Sequence, residues 1–345
     1  MSGLYELVAS SGAGELAIVG MTKNVGKTVT LNYLVRCYES SGKVLGLISA
    51  GYDGERFDRL TLKEKPRIYA PAGTLVATAA ACFEASEAVL ELLYRSSYAT
   101  PLGEVCLGRV LQAGKVELAG PGSSSGLRML SLKMRELGAA QILVDGAINR
   151  LASAAPSVTG ATILSTGAAV GIALEDVIRK TVFRCALLET LPVEDQTLLE
   201  AAVSGLSRAE AALIHRRGAA WEIELLRAPI PLLVRNRLRS GIRADTAAIV
   251  FGGALVDQLL PEIVERPEPP MIILKDASKI FLSPEQYSRY HHIGGRIRVL
   301  HEIKLLAVTL NPTNPSGKGY APSEFLNRMT EALFPRPVFD LVYQP

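Results

Sequence analysis

The stretch Gly20-Met21-Thr22-Lys23-Asn24-Val25-Gly26-Lys27-Thr28 decides how the fold of this chain is interpreted. It follows the apolar run 15–19, which predicts a buried strand, and leads into residues 28–40, which predict a helix that ends near Gly42. A loop at such a junction directs backbone N–H groups and the positive end of the helix dipole at one point. We therefore predict that the loop binds phosphate; the alternative is an ordinary glycine turn before a helix.

The residue types inside the loop suit a triphosphate and its metal ion. Gly26 would let the backbone approach the phosphates, Lys27 would reach the β- and γ-phosphates, and the Thr28 hydroxyl would ligate Mg²⁺. The predicted nucleotide-binding residues of the loop are Gly20, Thr22, Lys23, Asn24, Val25, Gly26, Lys27, Thr28 and Val29. We expect ATP with Mg²⁺ as the ligand, although the loop does not distinguish ATP from GTP.

Two carboxylates are candidates for the metal ion and for catalysis, together with Lys27. Asp145 ends the strand-like run 141–145, where it would hold Mg²⁺ directly or through water, or would cap the next segment. Asp53 follows the predicted strand 44–48 in a glycine-flanked loop. It is either a metal-linked switch residue that moves when the γ-phosphate is lost, or part of a solvated turn.

Two further loops have a functional and a structural interpretation. Asn311 follows a predicted strand over 305–310, and its side-chain amide would suit the edge of adenine, but Asn311-Pro312 is also a common turn. The Gly- and Ser-rich loop 120–126 precedes a predicted helix over 127–137. It would bind a second anion or cap that helix.

Strand-like runs alternate with helical patterns along the chain, which predicts an α/β fold with a doubly wound, mostly parallel sheet. Further strands are predicted over 161–165, 247–251 and 271–274. Residues 104–111 and 115–119 flank Gln112-Ala113-Gly114 and predict an antiparallel hairpin, and the Ala-rich stretch 197–217 predicts one helix. We place a nucleotide-binding domain at 1–190. Residues 191–345 would form a C-terminal α/β region that completes the sheet or contacts partners.

The composition excludes several classes of protein. A net charge of +3 over 345 residues, with no block of Lys and Arg, argues against binding to nucleic acid. The four cysteines are widely spaced, which argues against a zinc site or a disulfide framework. No apolar run is long enough to cross a bilayer, and the N-terminal residues do not form a signal peptide. We therefore expect a cytoplasmic protein that binds no membrane.

The loop resembles that of dethiobiotin synthetase and its relatives, the branch of P-loop proteins that includes the ParA/MinD ATPases and the cobyric acid synthases. The resemblance lies in Gly-x-Thr-x-x-Val-Gly-Lys-Thr, with five residues between Gly20 and Gly26. Two features of these relatives are missing. Thr22 stands where the ParA/MinD type has its signature lysine, and Ser49-Ala50-Gly51 follows the second strand where the synthetase has Lys-Pro-Val. The second difference argues against carboxylase chemistry.

A wider set of stretches resembles the P-loop subunit of the lysine 5,6-aminomutase reactivase. Besides the loop, the set comprises residues 51–55, 65–69, 144–150 and 163–168. The resemblance implies a chaperone-like ATPase that acts with a second, MutS-like ATPase subunit. Together they would restore an adenosylcobalamin-dependent mutase whose cofactor is damaged, so a homo- or hetero-oligomer is expected.

Two other functions reuse the same loop. One is an ATP-dependent ligase or amidase of the dethiobiotin synthetase or cobyric acid synthase type, which would phosphorylate a small carboxylate. The other is a nucleotide-gated scaffold that binds without hydrolysis. Dependence of ATP turnover on a small acid or on a protein partner distinguishes the first from the reactivase.

Overall fold

The fold is described from a computed structural model. The structure describes residues 3–51, 67–146, 159–227, 237–264, 268–314, 317 and 319–343. The chain forms two compact units. Unit 1 comprises Met1–Arg184 and Lys304–Pro345, and unit 2 comprises Cys185–Ile303. The chain therefore leaves unit 1 after residue 184 and returns to it at residue 304.

Unit 1 is built on a nine-stranded sheet. In spatial order its strands are β18 (Val338–Asp340), β17 (Leu305–Asn311), β9 (Ala161–Gly167), β1 (Glu15–Gly20), β8 (Gln141–Gly146), β2 (Leu45–Ser49), β4 (Leu75–Ala79), β6 (Gly103–Gln112) and β5 (Val89–Thr100). The strands from β18 to β4 are parallel, and β6 and β5 extend the sheet antiparallel at one edge. A separate antiparallel pair joins β3 (Ile68–Ala70) to β7 (Gly114–Val116).

Helices cover both faces of this sheet. The helices are α1 (Leu4–Ser10), α2 (Lys27–Ser41), α3 (Ala80–Glu84), α4 (Ser124–Glu136) and α9 (Pro322–Leu333), and α5 (Leu174–Leu188) contains the division between the units. Successive residues of a strand point to opposite faces. Leu143 accordingly lies in one core with α1 and α2, whereas Ile142 and Val144 lie in another with α4. The prediction of a mixed α/β fold with a large, mostly parallel sheet is confirmed.

Unit 2 has its own five-stranded sheet, in the order β11 (Ala220–Leu226), β10 (Ala211–Arg217), β12 (Thr246–Phe251), β14 (Met271–Asp276) and β16 (Ile297–His301). β10 is antiparallel to both neighbours, and β12, β14 and β16 are parallel. Its helices include α6 (Gln196–Arg208), α7 (Pro261–Val264) and α8 (Pro284–His292), and residues 237–241 are also helical. β13 (Leu255–Val256) pairs with β15 (Ile280–Phe281). Within the described ranges of the chain, no helix is both long and apolar enough to cross a membrane.

Two predicted elements were wrong. Strand β6 forms its hairpin with β5, through a turn at Gly103 (φ +98°), and Gly114 instead begins β7. A Cβ atom at Gly114 would lie 2.5 Å from the backbone nitrogen of Ala88, so close packing, not a turn, requires this glycine. The predicted helix 197–217 ends at Arg208, because residues 211–215 pair on both sides in the sheet and this pairing overrides the helix propensity of alanine.

Candidate functional site

The backbone of the loop after β1 bends through two left-handed residues. Gly26 is the N-cap of α2 with φ +89° and ψ +14°, and Asn24 has φ +62°. Only glycine adopts such angles freely, whereas asparagine tolerates them better than most residues. Loops of this kind, at the N-terminus of a helix, present backbone N–H groups to an anion.

Gly20 lets the loop fold tightly over the end of β1. A Cβ atom here would lie 2.7 Å from Val25 Cγ2 and 2.9 Å from Cγ and Cδ of Lys27. Val25 is buried and anchors the loop, and the aliphatic stem of Lys27 lies directly over Gly20. Lys27 takes part in none of the ion pairs formed by described residues of unit 1, so its charge is available to an anionic ligand.

The remaining predicted loop residues differ in their accessibility. Thr22 and Thr28 are half-buried, and Lys23 is exposed. Thr28 is the second residue of α2 and is therefore placed in the first helical turn, where a ligand at the helix N-terminus lies. Val29 is 37% exposed, and its apolar side chain offers no hydrogen bond to a phosphate.

Asp145 lies at the same edge of the sheet as the loop. It is half-buried in β8, which pairs directly with β1, and Asp145 is in register with Ile18. Its backbone carbonyl accepts a 2.9 Å hydrogen bond from the N–H of Ala50, which follows β2. The carboxyl ends of these three parallel strands therefore bring an acid close to the loop. Asp53, the second predicted carboxylate, lies outside the described residues.

The side chain of Asn311, at the end of β17, holds the loop. Its Nδ2 donates a 2.9 Å hydrogen bond to the backbone carbonyl of Asn24. Its Oδ1 accepts from the N–H of Thr313 at 3.1 Å and from the Thr313 hydroxyl at 2.7 Å. A Cβ atom on Gly26 would lie 3.1 Å from Asn311 Cβ. Contact between Asn311 and a nucleotide base stays a prediction, whereas its contact with the loop is direct.

A buried group of hydroxyls lies beneath the loop. Thr30, in the first turn of α2, donates a 2.8 Å hydrogen bond to Thr309 Oγ1 of β17. The Ser165 hydroxyl of β9 lies 2.8 Å from the same atom, and the backbone carbonyl of Ser165 accepts from the N–H of Met21 at 2.9 Å. We did not predict these residues. Their only signal in the sequence is a Ser or Thr near the carboxyl end of an apolar strand.

The second Gly- and Ser-rich loop caps a helix. Ser123 is the N-cap of α4, and its Oγ accepts a 3.2 Å hydrogen bond from the N–H of Gly126. A Cβ atom on Gly120 would lie 1.6 Å from the backbone carbonyl oxygen of Ser49. This loop therefore packs its backbone against the end of β2, and the capping alternative is confirmed.

Unit 1 thus brings the loop, Asp145 and Asn311 to one edge of its sheet. Open α/β sheets bind ligands outside the carboxyl ends of their parallel strands, which is where these residues lie. Comparison of the chain with protein-family models, with curated proteins and with solved structures gives no match. Any function of this edge is therefore inferred from the chemistry of its residues.

Proposed function

We propose that unit 1 has a doubly wound P-loop fold and binds ATP with Mg²⁺ at the loop 20–28. The observation that carries this proposal is the position of Lys27, whose stem lies over Gly20 and whose charge joins none of the ion pairs among described residues of its unit. The loop backbone and Lys27 would bind the phosphates, and the Thr28 hydroxyl and the Asp145 carboxylate are suitable oxygen ligands for Mg²⁺.

Such a site can hydrolyse ATP by position and charge alone. Phosphoryl transfer needs stabilisation of charge on the phosphate oxygens and an in-line water, with little covalent chemistry from the protein. Lys27 would stabilise the developing negative charge, and Asp145 would fix the metal. Asp145 lies on β8, which is parallel to and in register with β1, the strand that leads into the loop of Lys27.

We further propose that hydrolysis is coupled to a partner protein, as in a reactivase of an adenosylcobalamin-dependent lysine 5,6-aminomutase. Radical enzymes lose activity when their cofactor is damaged in a closed site. ATP can open that site only if the ATP-bound form of this protein binds one mutase conformation better than another. At the end of β2 this chain has Ser49-Ala50-Gly51 where the synthetase-type relatives have Lys-Pro-Val, so the residues expected at a small-carboxylate site are missing, which supports a protein partner.

The cysteines are consistent with the cytoplasmic location that this function requires. None of the four forms a disulfide bond. Burial raises the pKa of the Cys37 and Cys106 thiols, which keeps both protonated and weakly reactive. Free thiols of this kind persist in a reducing compartment.

Reactivation of an inactivated lysine 5,6-aminomutase tests the function. The assay combines the purified protein, its MutS-like partner subunit, Mg-ATP and fresh adenosylcobalamin, with Lys27→Ala as the matched control. We expect mutase activity to return with the unaltered protein and not with the variant. No recovery, together with ATP turnover that requires a small carboxylate, would establish the ligase alternative instead.

A further inference from the structure

Unit 2 contains a cavity of about 270 Å³ between its sheet and the start of α6. Its lining includes Arg216, Arg296, Arg298, Trp221, Asp195 and Met271. Three arginines and the chain's single tryptophan therefore share one small space. Nothing in the proposed function of unit 1 uses these residues.

The pairing of the strands explains why these residues meet. Trp221 and Arg216 lie directly opposite each other on β11 and β10, so their side chains share a face of the sheet. Arg298 is in register with Ile273, which belongs to the core beneath α6. Met271 begins β14, so the cavity lies at the amino ends of the parallel strands.

The segment before α6 closes the cavity from the other side. It runs beside β16, because the N–H of Val193 donates to the carbonyl of Val299 at 3.0 Å and the N–H of Val299 donates to the carbonyl of Leu191 at 3.1 Å. This pairing fixes the position of residues 193–195 over the end of the sheet. The wall of the cavity is therefore held by backbone hydrogen bonds.

The arginines of the two faces of this sheet differ in their partners. Arg217 and Arg243 form ion pairs with Glu222, at 2.5 Å and 3.2 Å, and both also contact Asp245. None of the ion pairs among described residues of unit 2 includes an arginine of the cavity. Three guanidinium groups beside one space without such partners favour a bound anion.

The cavity has two acids, Glu194 and Asp195, and the carboxylate of Asp195 forms hydrogen bonds within the protein. Asp195 caps α6 and accepts hydrogen bonds from the N–H and hydroxyl of Thr197 and from the N–H of Leu198. The hydrogen bond from the Thr197 side chain is the main reason that the pKa of Asp195 is lowered, and Arg216 adds a smaller effect. Glu194 is exposed, as are Arg216 and Arg296, and the three arginines exceed the two acids of the cavity by one charge.

Trp221 gives the cavity an ordered apolar wall. Its indole Nε1–H donates a 2.9 Å hydrogen bond to the Thr197 hydroxyl, and the guanidinium carbon of Arg216 lies 5.3 Å from the ring centroid. Val193 and Leu198 are buried beneath it. The wall and the arginines together suit a compact ligand that has charged ends and little bulk.

We propose that this cavity binds a small, multiply charged oxyanion, with its phosphate or carboxylate oxygens held by Arg216, Arg296 and Arg298. Planar guanidinium groups bind both kinds of oxyanion in a two-pronged geometry. The cavity is slightly smaller than the range of about 300–1,000 Å³ typical of sites for drug-sized ligands, which favours a compact anion.

Fluorescence of Trp221 in the full-length protein tests the proposal. Because this is the chain's single tryptophan, its emission reports this cavity alone. The protein is titrated with pyrophosphate and, separately, with citrate, at constant ionic strength. We expect a saturable change with at least one probe, with half-saturation at or below about 1 mM. Response to pyrophosphate alone assigns the site to phosphates, and response to citrate alone assigns it to carboxylates.

Substitutions distinguish a specific anion-binding site from nonspecific electrostatic attraction of anions. Arg298→Gln and Arg296→Gln should each raise the half-saturation concentration by about tenfold or more, since each removes a charged hydrogen-bond donor. Arg208→Gln removes the same charge at the far end of α6 and should leave the half-saturation concentration unchanged. Lys27→Ala, in the phosphate loop of unit 1, should also leave the half-saturation concentration of the cavity unchanged. No saturable change with either probe, or equal half-saturation in the unaltered protein and both cavity variants, would overturn the proposal.

Discussion

The side-chain amide of Asn311 donates a hydrogen bond to the backbone carbonyl of Asn24, across 287 residues of sequence. This bond ties the last part of the chain to the loop that we propose as the phosphate site. We expect Asn311→Ala to weaken Mg-ATP binding about fivefold, because a neutral hydrogen bond contributes about 1 kcal/mol and the loop loses a fixed position. Isothermal titration calorimetry measures the change.

The same variant distinguishes loop positioning from recognition of the base. If Asn311 only positions the loop, Asn311→Ala weakens ATP and GTP by the same factor. A changed preference between the two nucleotides would instead show that the amide contacts the base. Asn327→Ala, an exposed change on α9, is the control and should alter neither affinity.

Gly26 and Gly42 mark the two ends of α2 and allow a matched comparison. Both have positive φ angles, but a Cβ atom at Gly42 meets nothing within 4 Å, whereas one at Gly26 approaches Asn311. We expect Gly42→Ala to lower the free energy of unfolding by about 1–2 kcal/mol through backbone strain alone. Gly26→Ala should lower it further and also abolish Mg-ATP binding. Urea denaturation and calorimetry measure both effects, and equal losses of stability would contradict the contact with Asn311.

Thr309 and Thr162 are buried threonines on the neighbouring strands β17 and β9. Replacing them by valine should have different effects on stability. Thr309 is bonded to Thr30 and Ser165, whereas the Thr162 hydroxyl has no partner among the described residues. Thr309→Val should destabilise the protein by about 1–3 kcal/mol, because it leaves two buried hydroxyls poorly satisfied. Thr162→Val should be neutral or stabilising. Chemical denaturation of the two variants gives the comparison. Greater destabilisation by Thr162→Val than by Thr309→Val would disprove the structural role of the buried hydroxyls.

Lys27→Ala should weaken Mg-ATP binding about 10- to 150-fold, since a hydrogen bond to a charged group contributes about 1.5–3 kcal/mol. The thermal unfolding midpoint without nucleotide should change little, because Lys27 is only half-buried and its removal costs little buried contact. Lys43→Ala removes a charge just beyond the other end of α2 and serves as the control. Equal affinity in the unaltered protein and Lys27→Ala would exclude the loop as the phosphate site.

Asp145→Asn should reduce Mg²⁺-dependent hydrolysis by about 100-fold while changing ATP affinity no more than about threefold. The loop supplies most phosphate contacts, whereas the carboxylate serves the metal ion. Single-turnover hydrolysis and calorimetry on the same preparation separate the two quantities. If hydrolysis is unchanged, the role of Asp145 is structural.

The parallel strands of both units were largely predictable because they are buried on both faces. Strands of this kind are nearly continuous apolar runs, and β1, β8 and β17 begin and end within about two residues of the predicted positions. The loop was predictable for a related reason. Its glycines are required by close contacts and a positive φ angle among residues that are near one another in sequence, at the junction of one strand and one helix.

The contacts that complete the site were not predictable, because they depend on pairing between distant segments. β17 lies next to β9, with Thr309 in register with Ser165, although unit 2 separates them in sequence. No local pattern encodes such a pairing. The cavity of unit 2 was missed for the same reason, since its arginines come from two strands and from a residue that precedes one of them.

The return of the chain to unit 1 has a consequence for protein synthesis. Until residues 305–311 leave the ribosome, β9 is an unpaired edge, and such edges invite aggregation. Translation of residues 168–304, which separate β9 from β17, takes about 7–27 s at the usual rate of about 5–20 residues per second. Throughout that interval the carbonyl of Asn24 lacks the amide of Asn311. A nascent chain that carries the complete loop motif therefore still lacks the bond that secures it, and the loop gains that bond only after β17 is translated.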